Sequence, residues 1–421
     1  MDVDALVLVL AAFRAGIVVC PLNTRQPAAV VPTLLERIAC RTLVAAPDPS
    51  WVGLRAFEVE TSGGAPAAPD TDWRLTAPAT LVFTSGSTGT PKAALHTLGN
   101  HIASARGAVA FFDLRPGDRW LLSLPLYHVG GLAVLVRCVL VGATVVLSRE
   151  GATIEETVAA HGVTHCSLVA TQLLRVLRAG RSEALAGTKA ILLGGSAIPP
   201  AVIDDAVAVG LPIHTSYGMT EMASTVTATP PGASREALGT SGVLLPNREL
   251  KLAADGEILV RGATLFAGYA GRERVERPDR GGWFPTGDLG AWTEVEGQRV
   301  LRVVGRKDHL FISGGENVQP EEIEAALGRI EGVRQAVVVP VADAEFGHRP
   351  VAFVDADAWA PEAWRERLGA TLPRFKIPAA FHPWPEEAQR GMKVSRRFLQ
   401  ERASGSAGRP PASQGRNESG G

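Results

Sequence analysis

The sequence predicts an α/β protein: a large domain built as parallel-sheet αβαβα layers with a β-rich subdomain, then a small α+β domain. Three observations carry this. From residue 153, short apolar runs alternate with helical segments, and strand–helix–strand repetition implies a parallel sheet with helices on both faces. Beyond residue 238 the texture changes to short strands broken by glycine turns. After Gly305-Arg306-Lys307-Asp308 it changes again, to a mixed unit of ordinary domain size. The expected division is residues 1–305, residues 306–400 and a disordered tail at 401–421.

The elements follow in order. Residues 5–15 read as a buried helix ending at Gly16, and residues 17–21 as a short strand. Residues 60–78, rich in Gly, Ala and Pro, read as a surface connection. Residues 79–83 form a short buried strand, 100–112 a helix, and 120–125 a strand leading into Leu126-Tyr127-His128. Residues 130–147 are the most apolar long run, but Arg137 and three glycines make them a core helix plus strand rather than a membrane span. Thr153 and Glu156 form a capping box for a helix that stops at Gly162. Strands at 163–169, 190–193 and 211–215 alternate with helices at 171–179 and after Pro199-Pro200. Asp255-Gly256 and Glu296-Gly297 are hairpin signals. Gln319-Pro320-Glu321-Glu322 opens a helix, 333–341 is a strand, and 359–368 a further helix. Residues 405–421 are Gly, Ser, Pro and polar, the composition of a disordered tail.

The totals exclude several classes. A formal net charge of −1 favours neither nucleic acid nor an anionic membrane. Cys20, Cys40, Cys138 and Cys166 are widely spaced without a C-x-x-C pair, which argues against a metal cluster or disulfide framework. Buried thiols in a reducing cytoplasm fit better. The start, Met1-Asp2-Val3-Asp4, is acidic where a secretory signal is basic.

Thr84-Ser85-Gly86-Ser87-Thr88-Gly89-Thr90-Pro91-Lys92 offers five hydroxyls, two glycines and a lysine. Two readings fit: a loop whose backbone amides converge on phosphate, or a flexible Ser/Gly linker. It is not a Walker A loop, since no Gly-Lys-Ser/Thr stands at the required spacing. This loop, Gly194-Gly195-Ser196 and Ser216-Tyr217-Gly218 all follow strands, and ligands of open α/β sheets sit at the carboxyl ends of strands. That agreement favours a nucleotide site.

Together with Tyr217-Gly218-Met219-Thr220-Glu221, Thr286-Gly287-Asp288, Gly305-Arg306-Lys307-Asp308 and Lys393, the loop resembles the adenylate-forming superfamily of acyl-CoA synthetases, luciferases and peptide-synthetase adenylation domains. Within it the resemblance is closest to the o-succinylbenzoate–CoA ligases of menaquinone biosynthesis. It rests on Lys92-Ala93-Ala94-Leu95-His96-Thr97, Leu122-Ser123-Leu124-Pro125-Leu126-Tyr127-His128-Val129, Ser167-Leu168-Val169-Ala170-Thr171-Gln172-Leu173, the 314–322 stretch and Phe346-Gly347-His348-Arg349-Pro350. The family usually carries a further N-terminal segment ahead of the point matching Met1, so a late-assigned start or a truncated copy is expected.

The resemblance implies an AMP-forming ligase using ATP, Mg²⁺ and CoA on o-succinylbenzoate. It implies phosphate contacts from Thr84, Ser85, Gly86, Ser87, Thr88, Gly89 and Lys92, and adenine contacts from Gly194, Gly195, Ser196, Tyr217, Gly218 and Met219. Gly195 is expected to lie along the base, where a side chain would obstruct. Asp288 and Arg306 would hold the ribose, Thr220 the α-phosphate and Glu221 the metal. Lys393 would bridge substrate carboxylate and α-phosphate, with Asp308 as the hinge of a rotating small domain. His128, Ser167, Thr171, Gln172 and Ser224 are expected around the acid, with His128 also a catalytic candidate. Ser313, Gly314, Gly315 and Glu316 would face CoA. A ligase for another aryl or fatty acid, and a non-catalytic nucleotide- or acyl-binding remnant, are the alternatives. Partners are small molecules, with no nucleic acid and no membrane span; a homodimer is allowed for.

Overall fold

The computed structural model describes residues 3–24, 28–40, 42–45, 55–57, 74–84, 91–271, 275–276, 281–385 and 395–406. The chain divides into two compact units: residues 1–198 with 202–303, and residues 199–201 with 304–421.

The first unit is organised by a seven-stranded sheet. Its strands run in the order Val243–Leu244, Ser224–Ala228, Ile213–Met219, Ala190–Leu193, His165–Leu168, Arg119–Leu121, Thr144–Val146. From Ile213–Met219 to Thr144–Val146 neighbours are parallel, and the other two pairings are antiparallel. Ala190–Leu193 is apolar at every position and buried at every position, as a parallel strand covered on both faces must be. Alternation along the strands divides the core. Trp120 and Leu192 join the helices Val3–Ala15, Leu98–Phe111 and Val129–Val141 on one face. Leu121, Ile191 and Leu193 join Ile154–His161, Ala170–Arg178 and Pro200–Ala208 on the other.

Local signals explain the helix ends. Thr153 accepts from the Glu156 amide while Glu156 accepts from the Thr153 amide, and Gly162 closes the helix at φ 55°. A second reciprocal cap, Thr97 with Asn100, opens Leu98–Phe111.

Three expectations change. Residues 17–21 contribute only an isolated parallel bridge, Val19 to Thr80, because Ile17 and Val18 are exposed and gain no partner from a longer strand. The strand expected at 120–125 stops at Leu121. The phosphate-type loop does not follow a parallel strand: Pro78–Thr84 pairs antiparallel with Lys92–Thr97, and Thr84 faces Lys92 across the hairpin. This pair belongs to a separate four-stranded sheet with Gly268–Ala270 and Val275–Glu276. The connection expected at 60–78 lies mostly outside the described residues.

The β-rich part is a sheet of Arg248–Leu252, Glu257–Gly262, Phe284–Val295 and Gln298–Arg306. Glu296 and Gly297 both have positive φ, 53° and 73°, the backbone of a two-residue hairpin turn.

In the second unit, Val333–Asp343 and Gly347–Ala356 pair along their length, with Ala380–Pro383 parallel to the latter. Val338, Ala352 and Val354 face Pro320–Leu327 and Pro361–Gly369, while Val337, Val339 and Phe353 face Arg396–Ser406. That last helix corrects the expected tail: residues 401–406 continue it, since Leu399 and Ala403 are buried on its inner side. The rest of the tail lies outside the described residues.

Candidate active site

The site of the first unit begins where parallel pairing ends. Leu193 pairs with Thr215, and the chain runs on through Ser216, Tyr217 and Gly218 beyond that rung. Gly194, Gly195 and Ser196 follow the neighbouring strand. The Ser216 hydroxyl donates to the Leu193 carbonyl at 2.7 Å, tying the two strand ends together. A Cβ on Gly194 would stand 2.7 Å from Ser216 Oγ. A Cβ on Gly218 would stand 2.5 Å from the Ser224 carbonyl oxygen, so only glycine lets these strands approach. At Gly195 the constraint is conformational: φ is 85°, while an added Cβ would make ordinary contact with Val169.

The Tyr217 hydroxyl donates to Asp288 Oδ2 at 2.6 Å. Asp288 emerges from an irregular stretch of Phe284–Val295, where register with the neighbouring strand shifts. Thr286 Oγ1 accepts from the Asp288 amide, Glu257 accepts from the Gly287 amide, and Gly287 has φ 72°. Two motifs 71 positions apart thus share one hydrogen bond.

Thr220–Met222 is a single 3-10 turn, followed by Ala223 at φ 51° and Ser224 at φ 114°. The Thr220 carbonyl accepts from the Ala223 amide and from His96 Nε2 at 2.7 Å. Glu221 is buried, its backbone carbonyl accepts from the Phe266 amide, and its Oε1 accepts from the Tyr269 hydroxyl at 2.6 Å. Lys92 Nζ stands 4.9 Å from the centre of the same tyrosine ring. Lys92, Tyr269 and Glu221 therefore form one array. A cavity of about 480 Å³ adjoins it, with Arg37, Lys92 and Glu36 among its walls. Glu221 could supply a single hard-oxygen ligand, the donor type that suits Mg²⁺ shared with phosphate oxygens and water.

A second cluster lies under the helix Val129–Val141. Gln172 Nε2 donates to the Ser123 carbonyl, and Ser123 Oγ donates to the Ser167 carbonyl. Ser167 Oγ accepts from Trp120 Nε1 at 3.2 Å, and the Arg137 guanidinium lies 4.4 Å from the centre of the Trp120 rings. Arg137 is 1% exposed. Its Nε donates to the Ala133 carbonyl, its Nη1 has no hydrogen-bond partner, and no carboxylate among the described residues pairs with it. Burial draws its pKa down to about 10, which leaves it charged at neutral pH. Arg248, also buried, is drawn down to about 9 by burial and by the charge of Arg137.

An AMP-binding enzyme model matches residues 1–270, and an AMP-binding enzyme C-terminal domain model matches residues 322–389. The chain belongs to the AMP-binding enzyme family. Its relatives include the 2-succinylbenzoate–CoA ligase of Salmonella typhimurium, 38% identical over 93% of this chain and 83% of that protein. The Haemophilus influenzae 2-succinylbenzoate–CoA ligase is 40% identical over 76% of this chain and 70% of its own length. Among solved structures, a variant of E. coli MenE with bound OSB-AMS superposes with a TM-score of 0.82 at 34% identity, covering 96% of this chain and 85% of that one. Bacillus subtilis MenE in complex with the acyl-adenylate intermediate OSB-AMP gives 0.80 at 30% identity, covering 95% and 86%.

Within this AMP-binding enzyme the structure joins Tyr217 to Asp288, Lys92 to Glu221 through Tyr269, and Ser167 to Gln172 through Ser123. Thr84 donates to the Lys92 carbonyl and closes the hairpin. His128 is the exposed N-cap residue of Val129–Val141, with its ring 4.7 Å from that of Tyr127. Thr171 and Ser224 are half-buried. Met219 Sδ lies 3.9 Å from the Tyr217 hydroxyl. In the second unit Arg306 grips Asp308 with two nitrogens, at 3.0 and 3.2 Å. Ser313 pairs with Glu316 across a turn in which Gly314 and Gly315 both have positive φ. Ser85, Gly86, Ser87, Thr88, Gly89 and Lys393 lie outside the described residues. Tyr269, His96 and Arg137 were not singled out as site residues by sequence reasoning. Tyr269 carries no local signal, His96 entered only within the Lys92–Thr97 stretch that carries the resemblance, and Arg137 stood out only as a charge inside an apolar run.

Proposed function

We propose that the chain is an ATP- and Mg²⁺-dependent 2-succinylbenzoate–CoA ligase. A carboxylate is a poor acyl donor because its leaving group would be oxide. Attack of a carboxylate oxygen on the α-phosphorus forms a mixed anhydride with AMP and expels pyrophosphate. The CoA thiolate then attacks the acyl carbon and AMP leaves. Two anions meet in the first step, so charge neutralisation dominates. The observation that carries this reading is the Lys92–Tyr269–Glu221 array, which sets a cation and a carboxylate beside one hairpin mouth.

In this reading Lys92, with Thr84 and the 85–89 residues, holds the β- and γ-phosphates, and Thr220 bonds the α-phosphate. Glu221 would hold Mg²⁺, which when bound would withdraw charge from the phosphate oxygens. Tyr217 stacks on adenine beside Gly194, Gly195 and Ser196, and its hydroxyl aims Asp288 at the ribose. Lys393 bridges carboxylate and α-phosphate. Arg306 serves the ribose, Asp308 the hinge, and Ser313 to Glu316 the thiol. The substrate's second carboxylate calls for a buried cation without an acid partner, and among the described residues Arg137 meets that description. Four cysteines outside any disulfide suit the cytoplasm, and no described helix is long and apolar enough to cross a membrane. Light scattering tests the homodimer.

Pyrophosphate release is measured with ATP, Mg²⁺ and o-succinylbenzoate, then CoA is added and the product weighed by mass spectrometry. Release followed by the CoA thioester is the expected result. Binding of ATP without release would overturn the ligase reading, and a clear preference for benzoate or octanoate would move the acid while keeping the reaction.

A further inference from the structure

We infer that His96 is a positioning residue for the metal-side turn, holding the Thr220–Glu221 peptide in the orientation that presents the Glu221 carboxylate. The inference rests on reading Glu221 as the Mg²⁺ ligand. His96 is fully buried on the strand Lys92–Thr97, four residues after Lys92 and therefore on the same face of that strand. A carbonyl only accepts, so the 2.7 Å bond to the Thr220 oxygen fixes the proton on His96 Nε2. Nδ1 is then a bare acceptor, buried and without a partner among the described residues. A buried, half-satisfied imidazole is a poor core filler, and its satisfied half points at one specific peptide.

That peptide is planar, so fixing the Thr220 oxygen fixes the plane that leads into Glu221 Cα. The turn needs the restraint, because Ala223 and Ser224 follow it with φ 51° and 114°, a backbone that non-glycine residues rarely adopt. The other side of Glu221 is held by the Phe266 amide and the Tyr269 hydroxyl. The His96 ring lies 6.4 Å from that of Phe266 and 5.1 Å from that of His101, so its direction is set by packing. One strand thus carries both the lysine of the phosphate loop and the donor that sets the metal-side carboxylate.

The test uses side-chain length. A glutamine amide nitrogen reaches the place of Nε2, and an asparagine one reaches only that of Nδ1. Binding of Mn²⁺ in the presence of ATP, followed by electron paramagnetic resonance, is compared in wild type, His96→Gln, His96→Asn and Glu221→Gln, alongside KM for o-succinylbenzoate and the melting temperature. His96→Asn is expected to weaken Mn²⁺ binding about tenfold, as loss of one hydrogen bond to a positioned group would. KM for the acid should stay unchanged, and His96→Gln should restore binding to within about twofold. Wild-type Mn²⁺ affinity in His96→Asn, or equal loss in the Gln and Asn variants, would overturn the inference. An unchanged Mn²⁺ signal in Glu221→Gln would instead overturn the reading of Glu221. Should His96→Asn fail to fold, His96→Met, which fills the ring volume without a donor, takes its place with the same expectation.

Discussion

Arg137 shows what a single residue can report. A buried guanidinium beside Trp120, with one nitrogen unpaired and no acid opposite among the described residues, is a costly group to bury. A ligand carboxylate would relieve it. Arg137→Leu is expected to raise KM for o-succinylbenzoate about tenfold to a hundredfold, the worth of one or two charge-assisted bonds, with little effect on a plain aromatic monocarboxylate. Equal losses on both acids would assign Arg137 to the core. His165 and His214 make a second case. Burial holds both rings below their ordinary value, against the Phe112 and Thr229 carbonyls that favour the charged form. The unfolded chain takes up protons as pH falls through about 6.5 while the folded chain resists, so stability should drop with pH below that point. Urea midpoints between pH 7 and 5 should decline in wild type and less so in His214→Asn, which keeps a donor for the Thr229 carbonyl; a flat wild-type profile would contradict this.

At the scale of elements, the strand–helix alternation from residue 153 was legible because caps and apolar runs are local. The strand before the Thr84–Lys92 stretch was legible as a short apolar run, but its sheet was not. Whether a strand continues into a crossover or folds back depends on its partner, and the antiparallel pairing of Pro78–Thr84 with Lys92–Thr97 is not written in either stretch alone. The same limit hid the capping of Leu98–Phe111 by Asn100, since a box with asparagine is a weaker signal. In the second unit Arg396 binds Glu324 at 2.5 and 2.8 Å, Glu321 at 3.1 Å and the Val338 carbonyl at 2.7 Å. His309 reaches the same Glu321 at 2.7 Å, so the residue after Asp308 and the helix after Lys393 meet in one network. Arg396→Leu leaves the half-buried Glu324 without its cation, while Glu321 keeps His309, and should cost about 3 kcal/mol by urea unfolding. A loss under about 1 kcal/mol would mean that the network is screened like a surface pair.

For the whole molecule, the roles proposed for Lys393 and Asp308 predict that substitutions in the second unit separate the two half-reactions. Lys393→Ala is expected to abolish acyl-adenylate formation while conversion of preformed adenylate to thioester persists in part. Asp308→Pro, which stiffens the turn Lys307–His309, should do the reverse. Pre-steady-state measurement of each half-reaction separates them, and parallel loss in either variant would remove the role given to that residue.

The fold class, the order of the motifs and the reaction they imply could be read from residues alone, because each depends on spacing within a short stretch or on resemblance to a family. The pairings could not. That Tyr217 meets Asp288, that Tyr269 joins Lys92 to Glu221, that His96 grips Thr220 and that Arg137 lies against Trp120 are contacts between distant positions. Burial and hydrogen-bond satisfaction, which turn an ordinary tyrosine or histidine into part of a site, exist only once the chain has closed on itself.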